Sequence, residues 1–105
     1  MDKLTIQVQD FLNISLEDCL NYTPYEKLEN TIKSSTESLI KKITNDTNNT
    51  LSKEDKIVYF LQQMLLRMST HDKWISLRDK HNLDQNYLYT VIKKHVYLYA
   101  PEFIQ

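Results

Sequence analysis

Glycine is missing altogether from these 105 residues, where average usage would give about seven. Glycine supplies most positive-φ turns, bulges and phosphate-cradling loops. Its absence argues against β-hairpins, and against P-loop or dinucleotide-binding sites. Cysteine occurs once, at Cys19, and a lone thiol can form neither an internal disulfide nor a cysteine-based zinc site. Cys19 lies between Asp18 and Leu20 with no basic residue close in sequence, so a buried, unreactive thiol is expected. No apolar run approaches the ~20 residues that cross a bilayer. Thr5, Gln7, Gln9 and Asp10 break up any signal-type apolar core at the start. A cytoplasmic protein is the expectation.

What is present suits one folded domain over residues 1–105, with 41% hydrophobic and 26% charged residues. A core of this size is marginal unless pairing adds to it. Net charge is −1, but it is unevenly spread. Up to Ser52 there are five lysines and eight acidic residues; from Lys53 onward there are eight basic and six acidic ones, so the halves carry −3 and +2. A dedicated nucleic-acid binder often carries more positive charge, although a local patch can outweigh the total.

Periodicity divides the chain into a helical part, 1–45, a polar loop, 46–51, and a second helical part, 52–105. Leu4, Val8, Phe11 and Leu12 share one face of a helix over 3–13. Ile6 and Val8 could equally alternate in a short strand. Ser15 followed by Asp18, and Ser52 followed by Asp55, are capping-box patterns that open helices. Thr23, Pro24 and Glu26 predict a third start, with Pro24 at the first helical position. That helix, 24–44, carries Tyr25, Leu28, Ile32, Leu39 and Ile43 in a narrow stripe. The stripe suits core packing or the pairing of two copies, and a homodimer through this helix is the expected assembly. Ile57, Phe60, Leu61, Met64, Leu65 and Met68 form a wide apolar face that should be the most buried. A helix from about residue 72 carries Trp74, Ile75 and Leu77. The last helix should end before Pro101, leaving Phe103 and Ile104 to dock on the core.

The most specific pattern is LRDKHNLDQNYLYTVIKK, residues 77–94. Asn82 tolerates the left-handed geometry of a tight corner, Leu83 can plug it, and Asp84 can cap the helix that follows. Leu88 and Val91 should face Leu77. Gln85, Asn86, Tyr89, Thr90 and Lys93 should then lie outward. Gln85 and Asn86 can each pair with adenine in the major groove, and Thr90 can meet a base or a thymine methyl. Tyr89 can bond a phosphate, while Lys80, Lys93 and Lys94 can neutralise phosphates.

Residues 77–96 resemble one helix-turn-helix motif of arabinose-regulator (AraC) type transcription factors, through Tyr87-Leu88, Val91-Ile92 and Lys93-Lys94. The resemblance implies that residues 85–96 form a recognition helix. Only one such motif is present, where that family has two. Without a glycine-bearing hairpin, no wing is expected.

The three histidines, His71, His81 and His95, have no metal-ligand spacing, so surface or cap roles are expected and no metal or cofactor is implied. No catalytic constellation can be built from the order of Ser, His and Asp. The expectation is therefore an all-α bundle of five to six helices with a C-terminal helix-turn-helix. It would bind double-stranded DNA and serve transcriptional or replication control in a bacterial or phage setting. The alternative is a small helical adaptor or inhibitor that binds another protein and not DNA.

Overall fold

The serine start signals act as side-chain caps. In a computed structural model, which describes residues 2–47, 51–81 and 85–104, Ser15 Oγ accepts from the Asp18 amide at 3.3 Å and Ser52 Oγ from the Asp55 amide at 3.1 Å. Asp2 caps the first helix in the same way, accepting from the Thr5 amide at 2.8 Å. Each bond satisfies an amide that the helix leaves without a partner. The elements in order are α1 (Lys3–Asn13), α2 (Leu16–Asn21), α3 (Glu26–Thr47), α4 (Lys53–Thr70), α5 (Asp72–His81) and α6 (Gln85–Tyr99). A 3₁₀ turn, Pro101–Phe103, follows. The fold is all-α, with six α-helices and no strand among the described residues. Its radius of gyration, 13.2 Å, matches the ~13 Å of a compact 100-residue domain. None of the described helices is long and apolar enough to cross a membrane.

Both ends of one helix differ from the sequence expectation. The 24–44 helix begins at Glu26, and its first bond runs from the Glu29 amide to the Tyr25 carbonyl at 2.8 Å. Pro24 is buried and precedes the helix instead of taking its first position. The same helix continues to Thr47, into what reads as the polar loop. Asn48 to Thr50, and the corner at Asn82, Leu83 and Asp84, lie outside the described residues.

A single apolar cluster joins all the helices except α2. Phe11 of α1 meets Tyr89 of α6 edge-on at 6.0 Å and also packs beside Phe60 of α4. Phe60 meets Phe103 at 5.6 Å, so the last residues dock on the core as expected. The α3 stripe of Leu28, Ile32, Leu39 and Ile43 is buried within one chain, joined by Ile40 and Thr36. Only Tyr25, at its start, is exposed. Cys19 is buried in α2, and burial pushes its thiol pKa up, as expected for an unreactive thiol.

The central element is α6. It packs on α3, α2, α1 and the closing 3₁₀ turn, whereas α5 packs chiefly on α4. Leu88, Tyr89, Val91, Ile92, Lys93, His95 and Val96 of α6 are all buried. Such near-continuous burial marks an interior helix rather than a half-exposed one.

Candidate functional site

Of the residues expected to face outward from α6, two lie in the interior. Leu88 and Val91 are buried, but α5, which carries the Leu77 they are expected to face, packs chiefly on α4 and not on α6. The outward placement of Tyr89 and Lys93 is corrected, since they are 2% and 5% exposed. The cause is the fold of the first 21 residues, whose helices α1 and α2 cover this side of α6. Tyr89 packs its ring on Phe11, and its hydroxyl accepts a hydrogen bond from Gln85 Nε2. Lys93 lays its aliphatic stem inward, and its ammonium donates to the carbonyl of Leu12 at 2.7 Å and to that of Ile14. Those carbonyls sit where α1 ends, and no helical amide follows to satisfy them. A lysine ammonium, with three donors and a flexible stem, suits the position.

Lys94 is bound in a similar way. Its Nζ donates to the Tyr22 carbonyl at 3.0 Å and to Glu29 Oε2 at 2.7 Å, tying the end of α2 to α3. His95 is also interior, a correction to the surface role expected for it. Its Nε2 lies 3.4 Å from the same Glu29 oxygen and makes no hydrogen bond. Burial lowers the His95 pKa against the pull of Glu29, with Lys94 and Lys33 adding to the lowering. Burial alone would raise the Glu29 carboxyl pKa, but Lys94 and His95 hold it below the usual range. Burial also lowers the Lys93 pKa and raises that of Tyr89.

The remaining candidates stay at the surface. Gln85, Asn86 and Lys80 are exposed and Thr90 is half-buried. Charges of both signs surround them, since Gln85 lines a groove with Lys3 and Arg78. The shallow concavities around Asn86 and Thr90 are lined also by Asp10 of α1 and Asp18 of α2.

Sequence reading missed a second place. Where α3, the start of α4 and the end of α6 converge, a groove of about 520 Å³ opens. Its floor is apolar, from Ile40, Ala100 and Phe103, and its rim carries Lys41, Lys53, Lys56 and Glu102. Tyr99 lines it from α6 and is half exposed. Lysines on two separate helices give no spacing signal, which is why the pattern alone could not bring them together. A second groove, about 550 Å³, runs between α1, α4, α5 and the start of α6, with Lys3 and Arg78 among its lining and Leu66 exposed in it. No group of three or more His, Cys, Asp or Glu among the described residues could hold a metal ion. Comparison of the chain with protein-family models, curated proteins and solved structures gives no match.

Proposed function

We propose that this chain is a small helical module that binds another protein, with α6 as its structural centre rather than a DNA-reading helix. The observation that carries this reading is the engagement of Lys93 and Lys94 with the carbonyls of Leu12, Ile14 and Tyr22. Phosphate binding draws on cations that solvent and counterions can reach. Presenting Lys93 to a phosphate would break its bonds to the end of α1. Asp10 and Asp18, beside the exposed end of α6, offset the positive charge that Lys3 and Arg78 place next to Gln85 and weaken its pull on a phosphate backbone. The buried α3 stripe leaves little apolar surface for pairing two copies through residues 24–44. Leu66, Leu98 and Tyr99 do remain exposed, and aromatic and aliphatic side chains of this kind anchor protein interfaces. No catalytic step is proposed.

The competing reading is a sequence-specific duplex binder, a transcriptional or replication regulator with α5 and α6 as a helix-turn-helix. The exposure of Gln85 and Asn86 at the start of α6, with Lys80 nearby in sequence, favours it, because recognition helices set their N-terminal residues against base edges.

Fluorescence anisotropy of a labelled mixed-sequence duplex, at low and at moderate salt, separates the two. The folded protein is expected to show no salt-sensitive binding. Binding that weakens steeply with salt, and is lost in a Lys80→Glu/Gln85→Ala/Asn86→Ala variant of unchanged helicity, would overturn the proposal. Charge reversal at Lys93 and Lys94 is unsuitable for this test, because it would remove internal bonds along with any phosphate contact.

A further inference from the structure

We infer that the groove between α3, α4 and the end of α6 is the partner-binding surface, and that it takes an acidic segment carrying an apolar anchor. This rests on the protein-binding reading above. The argument starts from charge. Lys41, Lys53 and Lys56 face one carboxylate, Glu102, around the groove, in a chain whose net charge is −1. None of the three lysines is ion-paired among the described residues. Three cations held on two helices concentrate positive potential at one concavity, where a segment bearing carboxylates gains from all of them.

The floor supplies the second half of the specificity. Ile40, Ala100 and Phe103 lie beneath the lysines and are themselves nearly buried. Tyr99 stands beside them, half exposed, and presents an aromatic face with a polar tip. A volume of about 520 Å³ admits a few side chains and not a folded domain. The occupant is therefore a short amphipathic segment, with one or two apolar side chains on the floor and carboxylates against the rim. The second groove is less suited to such a segment. Its cations are Lys3 and Arg78 alone, and its remaining polar lining consists of neutral glutamines and Ser69.

Phosphates would also be drawn to three lysines. Nucleic acid is the less favoured occupant, because the groove is a short concavity with an apolar floor and not an extended track along which a backbone could run.

The test uses the isotope-labelled full chain and a fluorescein-labelled peptide of roughly a dozen residues, with leucines three and four apart and glutamates between them. A second peptide has glutamine in place of every glutamate. The expected result is amide shifts confined to the surroundings of Lys41, Lys56, Tyr99 and Phe103. Anisotropy should show affinity about tenfold lower for the glutamine peptide and for Lys53→Glu/Lys56→Glu. Circular dichroism of that variant should be unchanged, since both lysines lie on the groove rim. A Tyr99→Ala variant should also bind more weakly while retaining the preference for glutamate. Equal affinity for the two peptides, or no shifts at millimolar peptide, would overturn the inference. Shifts at the Lys3–Arg78 groove would overturn it while leaving the protein-binding reading in place. Groove shifts that grow with protein concentration in the absence of peptide would assign the surface to a second copy and overturn it too. Displacement of the peptide by a mixed-sequence duplex at low salt would overturn both the inference and the reading beneath it.

Discussion

Lys93 Nζ lies 2.7 Å from the carbonyl oxygen of Leu12, across 81 residues of sequence, and also donates to Ile14. A side chain on the last helix thus closes the end of the first. Replacing Lys93 with methionine keeps the apolar stem but leaves both carbonyls without their donor. A fully buried unsatisfied acceptor costs about 1–3 kcal/mol; these bonds are partly buried, so Lys93→Met should lower the urea midpoint by the equivalent of about 1 kcal/mol. Lys93→Glu would set a carboxylate against two carbonyls and should destabilise by about 3–5 kcal/mol or prevent folding. Equal stability of wild type and Lys93→Glu in urea unfolding would show that the ammonium does not hold α1 to α6.

The Lys94–Glu29 pair, 2.7 Å apart and only partly exposed, makes a different prediction. Lys94 also donates to the Tyr22 carbonyl, so Lys94→Ala should cost more than Glu29→Ala. A double-mutant cycle should give a coupling of about 0.5–3 kcal/mol, the range for groups in direct contact. Raising the salt concentration should weaken it only slightly, since a partly buried pair is less screened than one in open water. A coupling near zero would place both side chains in solvent.

His95 ties stability to pH. Burial holds its folded-state pKa below the ordinary 6.5, so the unfolded chain binds the proton more readily. Stability from this group is therefore complete above the ordinary histidine pKa and falls as pH drops through it toward the folded value. Glu29, whose pKa is lowered, adds a further loss at more acid pH, as the carboxylate is protonated. The urea midpoint should fall between about pH 7.5 and about pH 5.5, and His95→Phe should flatten that slope. An unchanged slope in the variant would show that His95 is not the group that sets it.

Much of the architecture could be read from local chemistry. Ser15 and Ser52 mark helix starts because a hydroxyl caps only there, and Pro101 marks an end because proline constrains the residue before it. The inward faces of α1 and α4 largely followed their apolar spacing, as Val8, Phe11, Phe60 and Met64 show, although Leu12, expected on the α1 face, is exposed. The orientation of α6 did not follow in the same way. Tyr89 and Lys93 carry polar tips on apolar bodies, so the sequence permits either side. What decides between them is the position of α1 and α2, set by contacts 80 residues away that no local pattern encodes. The Lys41–Lys53–Lys56 rim was hidden for the same reason: it exists only once α3 and α4 meet.

Thr36 offers a prediction of opposite sign to the usual effect of a core substitution. It sits fully buried on the face of α3 that also carries Ile32, Leu39 and Ile40, and its hydroxyl has no hydrogen-bond partner. Burying a hydroxyl without a partner costs about 1–3 kcal/mol judged from mutational data. Valine has nearly the same shape and carries a methyl group in place of the hydroxyl. Thr36→Val removes the desolvation cost without opening a cavity, and β-branching is conserved, so helix propensity hardly changes. Most point substitutions destabilise by about 1 kcal/mol; this one should raise the urea midpoint by the equivalent of about 1 kcal/mol or more. Thr36→Ser should do the reverse, because it keeps the unpaired hydroxyl and deletes a packed methyl group. A destabilised Thr36→Val would show that the hydroxyl has a partner in solution, with the Ile32 carbonyl one turn earlier as the first place to look.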